Sequence, residues 1–501
     1  MMFVVGTFLF WFYVILLLAI TLFCITQFYL LIQYRFYKRA RQNESIENKH
    51  SITLDYDSHP LITVQLPVYN ERYVIARLID NIAQLDYPKD KLEIQVIDDS
   101  DDVTKDIAAQ KVELYKAQGL RIDHVRRPLR SGYKAGALRD ALPFARGELI
   151  AIFDADFLPR ADFLKKTVIL FKDPKVGVVQ TRWEHINESY SLLTRLQAFQ
   201  LNVHFTVEQK GRDYAEFWLQ FNGTAGVWRK ETIVDAGGWE ADTLTEDLDL
   251  SYRAQLKGWK IIFREDIGSP SELPSEMNGL KSQQFRWMKG GAETARKLIP
   301  LVLKSRAHPS VKFHAMMHLL SSSVYLFVFL SGVLSVPMLI LLSSAVYIKS
   351  IFSFFGISLL CLIIVYIYAN VDLAGKERPL YMTILKMIFI FPVFLSLSMG
   401  LSLHNSIAVV KGYLGKKTSF IRTPKFNIQS LTDQFMNKKD YLKKPMSLVT
   451  LFEGILALYF ATAVYIGYKL DNHLFTLLHL LLFFGYSTVF FYSIRHLSFE
   501  K

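Results

Sequence analysis

Two long apolar stretches, 3–32 and 313–494, enclose a middle region in which apolar residues come in short bursts. The first stretch is longer than a buried core helix needs and has neither a basic leader nor a small-residue cleavage site, so it predicts a spanning helix and not a cleaved signal. The second divides at polar, Pro and Gly positions into candidate spans near 316–345, 351–370, 384–410, 448–468 and 474–494. In the middle region the period changes. Val- and Ile-rich runs at 62–66, 92–97, 122–125, 149–153 and 176–180 alternate with helical patterns near 74–84 and 104–118. This rhythm predicts a mostly parallel α/β sheet inserted between transmembrane α-helices.

Composition agrees with that division. A chain of 501 residues that is 51% hydrophobic and 14% aromatic is too apolar for a soluble enzyme. The two cysteines, Cys24 and Cys361, both fall in apolar spans and read as small buried hydrophobes, not as a disulfide or metal site.

Charge then orients the chain. Arg35, Lys38, Arg39 and Arg41 follow the first span, and the positive-inside bias puts them and the middle region in the cytoplasm, with the N-terminus outside. Residues 411–444 carry nine Lys or Arg against two Asp, so they too are expected inside. Counting every later candidate as spanning would put them outside. The segment 384–410, which contains Lys386, Pro392, Gly400, His404 and Asn405, is therefore expected to lie in the headgroup region as an amphipathic helix. The expected division is a transmembrane helix at 1–34, a cytoplasmic domain at 35–311 and a transmembrane hairpin at 312–371. An interfacial helix and basic loop follow at 372–447, with a second hairpin at 448–501. A net charge of +12 does not indicate nucleic acid, because no nucleic-acid motif is present; membrane lipids and a nucleotide diphosphate are the expected partners.

In open α/β sheets ligands collect at the C-terminal strand edges, and here those edges are polar. Pro67-Val68-Tyr69-Asn70-Glu71 follows the first run, Asp98-Asp99-Ser100 the second and Asp154-Ala155-Asp156 a later one. Each alone is an ordinary turn, but three together concentrate carboxylates that need a cation or a donor-rich ligand. Asp154 and Asp156, two apart on what reads as extended chain, face one way and suit Mg²⁺ or Mn²⁺. Lys134 stands at a glycine-flanked helix start where phosphate could bind. Thr243-x-x-Glu246 has the form of a capping box, which would put Asp247 in the first turn of a helix, exposed and rigidly held as a general base requires. Glu453 and Ser321 to Ser323 are polar groups in or near spans, as a polar path would need.

In this order the motifs VQLPVYNE, IQVIDDS, GYKAGAL, FDADF, VVQTRW, FNGTAGVWR, TEDLDL and QQFRW resemble the processive family 2 glycosyltransferases, notably the cellulose synthase-like glucan and glucomannan synthases. The resemblance implies a GT-A type nucleotide-sugar domain and an inverting transfer that extends a β-linked, 1,4 polysaccharide from UDP-glucose or GDP-mannose and moves it across the membrane. It assigns Pro67, Tyr69, Glu71, Asp98, Asp99, Lys134 and Asp154 to the nucleotide, and Asp154 and Asp156 to the metal. Asp247, with Glu246 beside it, becomes the base; Gln283, Arg286 and Trp287 flank the diphosphate and the acceptor sugar. Residues 420–425, FIRTPK, resemble the family's gating loop through Phe420, Thr423 and Lys425, although Arg422 stands where the family has Val. The growing polysaccharide and accessory export subunits are the further partners implied. With two cysteines and a short C-terminal tail, the zinc-binding and cyclic-nucleotide-sensing regions of cellulose synthases are not expected. Two other functions share some of these motifs: a lipid glucosyltransferase similar to ceramide glucosyltransferase, and a non-enzymatic nucleotide-sugar-binding transporter.

Overall fold

Strands that are buried on both faces need apolar side chains in both directions, and the Val- and Ile-rich runs supply them. In the computed structural model, which describes residues 2–47, 59–341, 346–374, 379–418, 421–428, 433 and 447–496, these runs become strands β1 (Ile62–Val68), β2 (Leu92–Asp98), β3 (Arg121–Arg126), β4 (Leu149–Ile152) and β5 (Val176–His185). Two further strands were not expected: β6 (Gly226–Arg229) and β7 (Lys260–Ser271). The seven-stranded sheet has the order β3-β2-β1-β4-β6-β5-β7. β6 runs antiparallel to both neighbours, and the remaining pairings are parallel. The expected mostly parallel α/β domain is therefore the fold observed.

The chain begins with α1 (Met2–Glu47), which extends well beyond the predicted 3–32. Within the domain come α2 (Ile75–Ala83), α3 (Thr104–Ala117), α4 (Tyr133–Ala141), α5 (Phe163–Val168), α6 (Leu192–Val203), α7 (Lys210–Tyr214), α8 (Lys230–Asp235) and α9 (Glu246–Leu256). One core on the sheet is built from Val64, Leu66, Ile79, Ile94 and Phe153, and another from Ile152, Phe221, Trp228 and Phe263. Then follow α10 (Met277–Lys304), α11 (Pro309–Leu319), α12 (Ser323–Leu341), α13 (Val346–Leu373), α14 (Leu380–Gly400), α15 (Ser402–Tyr413), α16 (Leu448–Lys469) and α17 (Thr476–Arg495).

Six of the described helices are long and apolar enough to cross a membrane: α1, α12, α13, α14, α16 and α17. The candidate span 316–345 divides into α11 and α12. The segment 384–410 is likewise two helices broken at Leu401. Met387, Phe391, Phe394 and Leu397 on α14 pack with Leu196 and Phe199 of α6 and with Met277 and Leu280 of α10, while Tyr381, Leu385 and Phe389 are exposed. α15 lies against α10, where His404 Nε2 is 2.9 Å from the carbonyl of Lys281.

Candidate functional site

The C-terminal ends of β1, β2 and β4 open into a cleft of about 190 Å³ that also receives the start of α9 and one face of α10. Pro67, Tyr69, Glu71, Asp99, Lys134, Asp154, Asp156, Glu246, Asp247, Gln283, Arg286, Trp287, Thr423 and Lys425 all line it. Of the other expected residues, Phe420 lies outside the described residues, and Asp98 points away. The Asp98 carboxylate is fully buried, 2.9 Å from His124 Nε2, and accepts the Ser100 N–H at 2.8 Å. Asp98 shapes the turn after β2, and Asp99 reaches the cleft.

Asp154 and Asp156 do not sit on extended chain. They occupy a turn in which the Phe157 N–H donates to the Asp154 carbonyl at 3.0 Å, and the turn still delivers both carboxylates to the cleft. Each already holds an ammonium. Lys134, at the start of α4 behind left-handed Gly132 (φ +69°), donates to Asp154 at 2.5 Å and to the Gly223 carbonyl at 2.8 Å. Lys425 pairs with Asp156, and Arg422 donates to Glu71 at 2.8 Å. The segment 421–428 thus crosses the cleft. Thr423 accepts from Arg286 at 3.0 Å, the Phe426 N–H donates to Glu272 at 2.9 Å, and Asn427 accepts from Arg77 at 2.6 Å.

Asp247 lies at the first turn of α9, but no capping box forms there: Thr245 is the N-cap residue and its side chain makes no cap bond. α10 holds the helix start in its place. Glu293 accepts the Leu244 N–H at 2.9 Å, and the Thr245 and Thr294 hydroxyls are 3.1 Å apart. A side chain at Gly290 would come within 2.8 Å of the Thr245 backbone nitrogen, so glycine lets the two helices meet. Burial, and then the neighbouring Glu246, push the Asp247 carboxyl up to about 7. Gly223, at φ +80°, presses against it: a Cβ there would sit 2.9 Å from Asp247 Oδ2.

The cleft is lined by seven carboxylates, including Glu272, and five Lys or Arg side chains. That excess of negative charge precedes any diphosphate, so a cation or retained protons must offset it. Asp154 and Asp156, the carboxylates expected to hold a divalent ion, both bind cationic groups here. A second acidic group, Glu240, Asp242 and Asp249, is closely spaced. The Lys297 ammonium sits among its three carboxylates at 2.6 to 2.9 Å, so it reads as an ion-pair network.

Of the second space, sequence reasoning found only Ser321 and Ser322, as part of an expected polar path. A cavity of about 370 Å³ adjoins the cleft, and Asp247, Trp287, Thr245, Asn222 and Trp183 line both. Its walls come from α1, α6, α10, α12, α13 and α14, with polar groups at Gln27, Gln200, His204, Glu208, Ser321 and Ser322. Glu453 is not among them: it is fully buried and accepts from Lys281 at 2.8 Å. Ser323 instead bonds the Tyr413 hydroxyl at 2.6 Å.

Residues 59–290 match the family model described as Glycosyltransferase like family 2. Over 276 residues the chain is 38% identical to the Glucomannan 4-beta-mannosyltransferase 7 of Arabidopsis thaliana, covering 54% of this chain and 49% of that protein. Over 253 residues it is 44% identical to the Probable glucomannan 4-beta-mannosyltransferase 7 of Oryza sativa subsp. japonica, covering 50% and 43%. The chain spans about half the length of the curated relatives it matches. Among solved structures, the mannosyltransferase PcManGT from Pyrobaculum calidifontis, in complex with GDP-Man and Mn²⁺, aligns at 20% identity with a TM-score of 0.49, covering 79% of this chain and 100% of that chain.

Proposed function

We propose that this chain, whose residues 59–290 belong to the family 2 glycosyltransferases, transfers a hexose from a nucleotide sugar onto the end of a β-1,4-linked glycan and passes the product into the cavity between its helices. One observation carries the reading: Asp247 and Trp287 stand where the cleft lined by carboxylates and Lys or Arg side chains meets the helix-lined cavity. A base at such a junction has the donor on one side and the acceptor on the other.

In this reading the nucleotide lies along Pro67, Tyr69, Glu71 and Asp99, and its diphosphate lies near Lys134 and Arg286. Arg offers a fixed fork to phosphate oxygens, and Trp287 offers an apolar face to a sugar ring. Asp154 and Asp156 would hold Mg²⁺ or Mn²⁺, which supplies positive charge for the departing diphosphate. Asp247 accepts the proton of the acceptor hydroxyl as that oxygen attacks the anomeric carbon, and the single displacement inverts the linkage from α to β. Burial, and after it the neighbouring Glu246, makes the Asp247 carboxyl basic enough for that task near neutral pH. The segment 421–428 acts as a gating loop whose cations leave Asp156 and Glu71 when donor and metal arrive.

The sugar is proposed to be mannose, on the printed names of the Arabidopsis and Oryza relatives. The domain is proposed to lie in the cytoplasm with the N-terminus outside, and α14 with α15 to lie along the interface, since α14 packs its inner face on α6 and α10. Purified protein in lipid is incubated with GDP-mannose or UDP-glucose and a divalent ion, and the product is digested with β-mannanase or β-1,4-glucanase. A polymer cut by β-mannanase is expected. A single-sugar lipid would indicate the lipid glucosyltransferase reading, and no turnover of either donor overturns glycosyl transfer altogether.

A further inference from the structure

The wall between cleft and cavity carries polar groups that the displacement does not use. Asn222 is only 9% exposed and lines both spaces, and among the described residues its Nδ2 has no hydrogen-bond partner. The other end of the carboxamide is committed. Oδ1 accepts from Gln220 Nε2 at 2.7 Å and lies 3.0 Å from His204 Nε2, while the backbone N–H donates to Gln180 at 2.8 Å. Two N–H donors are therefore left for a ligand, and a buried donor without an acceptor is costly. The next residue, Gly223, is the one that presses on Asp247.

His204 is itself held in place. Its Nδ1 is 2.8 Å from Glu208 Oε2, and Gln27 of α1 donates to the other Glu208 oxygen at 3.2 Å. Both His204 and Glu208 belong to a π-helix, His204–Gln209, and such turns are rare and concentrate at functional sites. Ser322, 3% exposed, is a second buried group on the cavity wall whose Oγ has no partner among the described residues.

We infer that Asn222 is a contact for the terminal sugar of the acceptor glycan, donating from Nδ2 to one of its oxygens, and that His204 and Glu208 are positioning residues that aim the carboxamide. The inference rests on the glycosyl-transfer reading above. It assigns the sugar next to the reacting bond a fixed orientation, set by an amide on the wall that the cleft and the cavity share.

The full chain in lipid is assayed for transfer onto soluble β-1,4-linked manno- and gluco-oligosaccharides. Asn222→Ala is expected to raise the acceptor KM about tenfold, the loss of one hydrogen bond, while donor KM and nucleotide affinity stay within about twofold. His204→Ala should give part of the same rise and add nothing in the Asn222→Ala background, and His204→Gln should recover most of it. An unchanged acceptor KM in Asn222→Ala, or an equal rise in donor KM, overturns the contact. Full additivity of His204→Ala with Asn222→Ala overturns the positioning role. If Asn222→Ala fails to bind nucleotide, Asn222→Ser is read by the same criteria. Absence of transfer by the unaltered protein would strike the glycosyl-transfer reading itself.

Discussion

Asp247 illustrates how much of a residue's chemistry comes from what touches it. Its place beside Glu246 is evident in the sequence, but its burial and the pressure of Gly223 on its Oδ2 come from the folded chain. The carboxyl is raised, so it holds its proton below about 7 and accepts one only above it. Transfer is therefore expected to rise with pH through that value and then level off, and kcat/KM measured across the neutral range checks the sign. A flat profile would remove Asp247 from the role of base. Asp247→Asn is expected to lower turnover by about 10²–10⁴-fold with nucleotide affinity retained, read by titration with the nucleoside diphosphate. Gly223→Ala forces a left-handed side-chain residue, costing about 1–2 kcal/mol, and drives its methyl into the Asp247 carboxylate. A lower melting temperature and weaker transfer should appear together.

Helix α10 carries most of the element-scale organisation. One length of chain presents Gln283, Arg286 and Trp287 to the cleft and supplies Glu293 and Thr294 to the start of α9. It also anchors the C-terminal helices through Lys281 and Glu453, both buried. Glu453 had read as a polar path residue because a lone carboxylate in an apolar span gives no hint of a partner 172 positions away. Removing one member of such a pair leaves the other charge buried, so Glu453→Gln is expected to cost about 3–5 kcal/mol, whereas Lys281→Met with Glu453→Leu should recover much of that loss. Thermal unfolding in detergent compares them. The same logic explains the absent capping box: Thr243-x-x-Glu246 has the right spacing, but α10 already satisfies the helix start, and the Thr243 hydroxyl has no partner among the described residues. Local words of this kind compete with tertiary contacts, and here the contact from α10 won.

Across the whole molecule, the division into membrane helices and an α/β domain, the parallel strands and about half of the residues that line the cleft were legible, because hydrophobic period and strand-end polarity are local properties. For 384–410 the charge rule asked for a segment that does not cross, whereas α14 is long and apolar enough to cross and packs on α6 and α10. Labelling Lys417→Cys, in a background lacking Cys24 and Cys361, with an impermeant thiol reagent tests this. Protection in intact cells and reaction after permeabilisation are expected, and reaction from outside would sink the interfacial arrangement.

By itself the sequence determined that the chain is apolar at both ends and α/β between, that its strand ends carry Glu71, Asp99, Asp154 and Asp156, and that a basic segment follows the last of the middle helices. Spacing and polarity along the chain suffice for such statements. The tertiary structure decided which carboxylates share a space, that Asp98 turns away, that Lys425 and Arg422 return across hundreds of residues to Asp156 and Glu71, and that a second cavity meets the first at Asp247. Those facts depend on helices from both ends of the chain packing around one sheet edge, and no local pattern encodes a volume enclosed by distant segments.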